Sequence, residues 1–468
     1  MVDPRTPHVT GSPSRPSDAR GALLAVVVTA VPMVALAWAR YRLQLPSGDE
    51  PHYLVISEAL AKHGSLDVQQ VYDHRDYWSF FPQPLEPHVA PGPNGQQLPL
   101  HSIGGPVLWL LPYVLWGRAG VIAFMTVVSL LIVANVFWLL RQLAVERSVA
   151  VCVAIAFGLG TPILTYSAMS FVEPLGALGC LYALRVALRR EPSCRDLLVV
   201  STVLGVLPWV HSRFLLFPPV FLAVLVVRLL RARGTGWRRR LVCAVGPAAV
   251  LFAGLEVFDR VVWGTWNLAP NQVNAGAVPF RADPLPGLLG TVLDQEAGVA
   301  PNFPIFLFVL PGLLFAATRR YRTMNVLVLA TVVPYTVVVS SFLAWDGAWS
   351  PPARFAAVVL PMLAGYVGIA LQRTCDVFTG TVAAALTAAA TALTALAVGT
   401  ASGGFSARLG RSPTLGAVEA TTHLPITRYV PSSALDGQQL LFLTWALGVI
   451  GFAWLIWLRR ARDLLPTT

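Results

Sequence analysis

Twelve runs of apolar residues, each close to the length that crosses a bilayer as a helix, leave this chain little choice of fold. A hydrocarbon core about 30 Å thick takes about 20 residues of α-helix. Within it every backbone polar group must be bonded inside the protein. The runs fall at 21–40, 119–140, 149–168, 171–188, 196–212, 213–230, 241–263, 301–318, 324–343, 354–372, 377–400 and 439–458. Only 12% of the residues are charged and 55% are hydrophobic, whereas soluble domains carry about 25% charged residues. The chain therefore reads as an all-α polytopic membrane protein, not as a soluble enzyme with an anchor. The net charge of +11 does not point to nucleic acid, because the basic residues, all Arg except Lys62, cluster in short loops between apolar runs.

Those clusters set the topology. A further apolar stretch, 103–117, is short and carries Pro106 and Pro112. With the N-terminus inside and 103–117 not crossing, Arg141/Arg147, Arg189/Arg190/Arg195, the run Arg228 to Arg240, Arg319/Arg320/Arg322, Arg373 and Arg459/Arg460/Arg462 all fall in the cytosol. Crossing at 103–117 would put them outside, against the positive-inside bias. The expectation is twelve spans, both termini cytosolic, with 103–117 re-entrant or interfacial. Residues 1–20, rich in Pro, Ser and Arg, read as a disordered cytosolic tail. The first apolar run lacks a clear small-residue cleavage site and reads as a retained span. The outside then holds a long loop 43–118, with small helices lying on the membrane, and loops at 264–300, 344–353 and 401–438. The segment 377–400, mostly Ala, Thr and Leu, suits close helix packing. The five cysteines show neither a pairing pattern nor metal spacing, so neither disulfides nor zinc is expected.

This parity gathers polar residues at one face. Asp49 and Glu50 follow the first span at once, and carboxylates beside a bilayer are costly to desolvate. Glu173 opens the fourth span, His211 and Arg213 sit between two short spans, and Asp294 and Glu296 precede the span near Pro301. Asp346 and Arg354 frame the last of these turns. A carboxylate base with cations for a leaving phosphate is a set suited to group transfer. Each position also has a structural reading. Glu173 sits where a helix dipole favours an anion. Arg213 and Arg354 are placed to snorkel, His211 to fill a polar gap, and Asp294 and Glu296 to be ordinary loop charges. Arg40, Arg42 and Lys62 read as interfacial anchors or solvated charges. Glu256, Asp259 and Arg260 read as a structural pairing.

The ordered set resembles the integral-membrane glycosyltransferases of the GT-C fold, in particular the protein O-mannosyltransferase and lipid A aminoarabinose transferase group. The likeness rests on Asp49-Glu50, on Leu98-Pro99-Leu100-His101 leading to the short apolar element, on Glu173 in Ser-Phe-Val-Glu-Pro, and on Arg354 in Pro-Pro-Ala-Arg-Phe. It covers roughly residues 20–372. That division implies a catalytic membrane core over 21–372 and C-terminal helices over 373–468. One departure is clear: the usual Lys-Pro-Pro or Tyr-Pro-Pro is replaced by Leu-Pro-Leu-His. The resemblance implies a polyprenyl-phosphate sugar as donor, mannose- or arabinose-like, and an envelope glycan, lipid or protein hydroxyl as acceptor. Asp49 is then the general base, with Glu50 and Glu173 orienting hydroxyls. Arg354, Arg213 and His211 hold the leaving phosphate. His52, Tyr53, Trp78, Asp294, Glu296 and Asp346 contact sugar or acceptor. No organic cofactor is implied; a divalent Mg, Mn or Ca ion is compatible but not demanded. The scarcity of Lys suggests a high-GC bacterium, hence the bacterial inner membrane with the site on its outer face.

Other functions predict other patterns. A flippase or transporter needs polar residues at mid-membrane or symmetric broken helices. A ligase working from a diphosphate lipid shares the outer site but calls for a larger outer loop with several Arg together. A membrane scaffold leaves the five polar motifs without a purpose.

Overall fold

The computed structural model describes residues 16–232, 234–271, 280–281, 283–374, 376–399 and 410–462. Most of the expected tail, part of the loop 401–438 and Cys375 lie outside the described residues. The chain is an all-α multi-pass membrane protein. Among the described residues, seven helices are long and apolar enough to cross a membrane, and five shorter ones occupy the remaining predicted positions.

The first span, α1 (Pro16–Leu43), starts earlier than expected. Residues 16–20 are its first turn and not part of a disordered tail, because Asp18 there pairs with Arg141 at 2.8 Å. At its other end Arg40 pairs with Glu50, so the two pairs mark opposite ends of a helix about 40 Å long. A short helix buried from Glu50 to Ser57, α2 (Glu50–Glu58), follows. Then come a small antiparallel pair, β1 (Val89–Pro91) and β2 (Gln97–Pro99), and a single helical turn, Gly104–Leu108.

The element 103–117 does not stand apart from the next span. Residues from Leu110 run into α3 (Leu110–Gln142) through a break at Gly117, where φ is 56° and ψ −140°. A Cβ on Gly120 would lie 1.9 Å from the Pro112 carbonyl oxygen. The two arms therefore touch backbone to backbone, and only glycine fits the elbow. Leu111, Val114, Leu115 and Trp116 on the short arm are exposed, apolar surface that suits a lipid boundary.

The bundle continues with α4 (Arg147–Leu159), α5 (Glu173–Leu188), α6 (Cys194–Val210), α7 (Phe217–Ala232) and α8 (Trp237–Trp263). After these come α9 (Pro304–Phe315), α10 (Arg322–Ser340), α11 (Leu360–Thr374), α12 (Val377–Gly399) and α13 (Gln439–Arg462). The span expected at 301–318 starts only at Pro304, because Phe303 before it leaves helical angles (φ −141°, ψ 68°) and a residue preceding Pro is disfavoured in the α region. At its centre α11 is buried from Leu360 to Ala370. Gly312 lets α9 press on it, since a Cβ there would meet the Tyr366 carbonyl oxygen at 1.9 Å. Such small-residue contacts drive association in lipid, which gives apolar side chains no reason to leave it. The Ala/Thr-rich α12 packs with one face only, through Thr379, Ala383, Ala390 and Thr394, and leaves Val377 and Phe378 exposed.

Candidate active site

Asp49 ends the turn after α1 and stands at the N-cap of α2, with Pro51 just inside the helix. An Asp at that position ordinarily bonds the helix's free N–H groups. This one makes no such bond; its carboxylate is turned to Arg354 instead. The partners are 305 residues apart. Arg354 was expected to open a span but precedes α11 by six residues, because Pro351 and Pro352 hold the chain in turns until Leu360. Its guanidinium donates from Nη2 to Asp49, from Nε to Glu173 Oε1 at 2.9 Å, and from Nη1 to the Gly347 carbonyl at 3.1 Å. Gly347 takes φ +87°, and a Cβ there would lie 3.0 Å from the Cβ of Arg354, so that carbonyl is presented by a conformation glycine alone adopts freely.

Glu173 begins α5, fully buried, followed by Pro174. Its Oε1 also accepts from Arg213 Nη2 at 2.6 Å. A chain of alternating charges results: Asp49, Arg354, Glu173, Arg213. Phe355 lies against both cations, 4.7 Å from Arg213 and 5.4 Å from Arg354, and Phe171 lies 4.7 Å from Arg354. These faces fix the planes of the forks. Burial raises the Asp49 carboxyl, but the charge and hydrogen bond of Arg354 outweigh it and hold the group below the usual carboxylate range. Asp49 is thus a carboxylate at neutral pH.

Asp49 lines one cavity, and a second lies against its neighbours Gly48 and Pro51. The larger, about 520 Å³, is lined by Asp49, His101, His211, Arg213 and Arg354 at one end. Along the other it has apolar residues such as Leu216, Val339 and Phe342. The smaller, about 400 Å³, is lined by Arg40, Ser47, Gly48, His52, Gln83 and Trp349.

Other expected site residues are placed differently. Glu50 lines neither cavity. It is buried, pairs with Arg40 at 3.2 Å, and accepts the backbone N–H of Ser47 at 3.1 Å and of Ser170 at 3.0 Å. Arg40 is accordingly no solvated anchor; it is fully buried. Asp294 and Glu296 also point elsewhere. Asp294 accepts the N–H groups of Glu296 and Ala297 and the N–H and hydroxyl of Ser433, and Glu296 accepts the Gly410 N–H. They fasten the C-terminal segment. Trp78 is exposed and stacks with Arg75, and Asp346 caps its own turn at Ala348. Lys62 pairs with Asp76. Arg260 turns to the Gly264 carbonyl and not to Glu256 or Asp259.

His211 does line the large cavity, but not as a cation. Burial, with repulsion from Arg213 and Arg354, pushes its pKa well below the ordinary value. Its Nδ1 accepts the Arg213 backbone N–H at 3.3 Å, which leaves the proton on Nε2 as a neutral donor. His52 and Tyr53 sit beside Asp49. Tyr53 is buried with its hydroxyl unbonded and packs on His101 at 4.8 Å between ring centroids. His52 stacks on His88 at 3.6 Å. Burial pushes His52 down to about 2 and His101 to about 4, so both are neutral.

The fit of a divalent ion is decided by what already lies between the carboxylates. Arg354 bridges Asp49 and Glu173, and Arg213 adds a second positive charge on the same Glu173 oxygen. A dication placed there would meet two guanidinium groups, so this donor set does not suit it.

No family model matches this sequence, and none of the curated proteins does. Its structure does find similar ones. ArnT from Cupriavidus metallidurans bound to undecaprenyl phosphate superposes with a TM-score of 0.54 at 16% identity, covering 93% of this chain and 76% of that one. The apo form of ArnT gives 0.51 at 17% identity over 94% and 77%. The chain has the GT-C fold. Within this GT-C bundle the residues that sequence reasoning missed are His88, His101, Arg40 and the Gly347 carbonyl. His101 carried a signal, since it ends the Leu-Pro-Leu-His stretch. Arg40 carried none, because a basic residue closing a span is ordinarily an anchor.

Proposed function

We propose that this protein is an inverting glycosyltransferase that moves a sugar from a polyprenyl-phosphate donor to a hydroxyl of an envelope glycan, lipid or protein. The observation that carries the reading is the charge chain Asp49–Arg354–Glu173–Arg213 at the polar end of a cavity whose other wall is apolar. An amphipathic lipid phosphate needs both ends at once. That the superposed ArnT structure is described with bound undecaprenyl phosphate supports the same class of donor.

In the mechanism, an acceptor hydroxyl enters from the smaller cavity and gives its proton to Asp49 as its oxygen attacks the anomeric carbon. The bond from that carbon to the phosphate oxygen breaks, and its electron pair leaves with polyprenyl phosphate. The phosphate gains one negative charge in this step, so cations fixed beside it stabilise the transition state more than the ground state. Arg354 stays held by Glu173 at Nε and by Gly347 at Nη1, and the donor phosphate competes with Asp49 for Nη2. Donor binding thereby releases Asp49 to act as base. Arg213 and the Nε2–H of His211 complete the phosphate contacts. Glu173 positions both guanidinium groups.

The end of the bundle opposite the site carries the Arg141–Asp18 pair, and there Arg228 donates to the carbonyls of Ala187 and Arg189. The positive-inside bias makes that end cytosolic. The site then faces outward across a bacterial inner membrane, with both termini inside. Residues 21–372 form the catalytic core, and the helices of 373–468 are added to it.

The test is sugar transfer from a panel of radiolabelled polyprenyl-phosphate sugars by membranes containing the wild type or Asp49→Asn. Release by the wild type, reduced at least about 10³-fold in the variant at equal expression, is the expected result. Equal turnover by both overturns the base assignment. No turnover with any donor, in the presence of envelope acceptors, overturns the reading itself.

A further inference from the structure

Away from this site, the loop that follows α2 brings together three side chains that the mechanism does not use. The π-helical turn Ala59–His63 continues α2 and ends at Gly64 in the left-handed region. It delivers His63, whose Nε2 lies 2.8 Å from Asp76 Oδ2. Opposite, His74 and Asp76 flank Arg75, a non-glycine residue at φ 56°. The positive φ turns the chain so that both flanking side chains face His63. The His63 and His74 rings are 6.1 Å apart at their centroids. One ligand atom from each of His63, His74 and Asp76 falls within 4.8 Å of the others. The edge of a tetrahedral zinc site with bonds near 2.1 Å is about 3.4 Å, so the His63–Asp76 edge is nearly formed and His74 closes by a small rotation.

We propose that His63, His74 and Asp76 bind a zinc ion, with water as fourth ligand, that clips the end of α2 to the segment after it. Two imidazoles and one carboxylate favour zinc over magnesium or calcium, which prefer oxygen donors throughout. The carbonyls ending a helix also favour a cation. The clip stands at the opposite end of α2 and its π-turn from Asp49, about 20 Å away at helical rise. It is therefore a structural site and independent of the reaction proposed above. One group opposes it: Lys62, 53% exposed, rests its ammonium on Asp76 Oδ1, with Glu58 nearby. Zinc displaces that ammonium into solvent and takes Oδ2 from His63, whose proton moves to Nδ1 so that Nε2 is free to ligate as neutral imidazole.

This opposition makes the proposal specific. The full chain in detergent, freed of its purification tag and of metal, is titrated with zinc against a chromophoric chelator, and cobalt absorption reports tetrahedral coordination. The expected result is one zinc per chain and a rise in Tm on binding. His74→Ala should weaken binding at least tenfold, and Lys62→Gln should tighten it several-fold. His74 is exposed, so its variant should keep the metal-free Tm; if it does not, Lys62→Gln, which deletes no ligand, decides. Failure of the wild type to bind zinc at micromolar concentration, binding retained by the His63→Ala/His74→Ala double variant, or Lys62→Gln leaving the affinity unchanged overturns the proposal.

Discussion

Arg354 gives three of its five N–H groups to Asp49, Glu173 and the Gly347 carbonyl, and of the two carboxylates only Asp49 lines the large cavity. Replacing it tests the coupling directly. Arg354→Gln removes the charge that holds the Asp49 carboxyl down. Burial then dominates, and the carboxyl rises. A base works only above its pKa, so the acid limb of the pH–rate profile should move to higher pH. Turnover at pH 7.5 should also fall about 10²–10³-fold as transition-state charge loses its partner. Rates measured across the acid range for both proteins check this. An unmoved limb with raised KM alone would make Arg354 a donor clamp without influence on Asp49. The residues of this chain of charges were legible in the sequence as members of one membrane face. Their contacts were not, because sidedness follows from counting spans whereas an ion pair across 305 residues follows from packing. The same limit explains the placement of Asp294 and Glu296. An acidic turn before a span reads alike whether it meets a sugar or, as here, the N–H groups of residues 410 and 433.

At the scale of elements, Glu50 is the joint between three pieces. Its carboxylate receives Arg40 from α1, the Ser47 N–H from the turn before α2, and the Ser170 N–H from the turn before α5. With 1% of its surface exposed, it is an anion whose removal leaves buried donors without it. Breaking such a pair costs about 3–5 kcal/mol. Glu50→Gln should therefore lower the Tm in detergent by several degrees while the folded fraction retains turnover. Asp49→Asn, whose side chain is 23% exposed in its pair with Arg354, should lower the Tm by less and yet lose turnover. Thermal unfolding beside a single-turnover assay separates them. Loss of turnover in Glu50→Gln with no change in Tm would return Glu50 to the reacting groups. Adjacent in sequence, these two carboxylates look equivalent. They diverge because α2 begins between them, which aims one side chain into the cavity and the other under α1.

For the molecule as a whole, the places and order of the apolar helices were legible because hydropathy integrates over twenty residues and tolerates local irregularity. Their ends were not. Helix α4 stops at Leu159, short of the apolar run that reaches 168, because Gly160 and Pro162 break the ladder although they are not charged. Hydropathy likewise marked 103–117 as an anomaly without revealing the elbow at Gly117, since a backbone angle leaves no trace in polarity. What depends on the whole chain is sidedness, for one extra crossing before α3 would invert every loop after it. The prediction uses a variant with all five cysteines replaced by serine, carrying a single new cysteine at the exposed Thr421 or the exposed Ser148. A membrane-impermeant maleimide added to intact cells should label Thr421→Cys, on the segment tied to Asp294 near the site end. It should reach Ser148→Cys, beside the basic cluster at the other end, only after the membrane is opened. The opposite pattern would place the charge chain in the cytosol. A donor displayed on the outer leaflet would then be out of its reach, and the transfer reaction would have to run from the inner one.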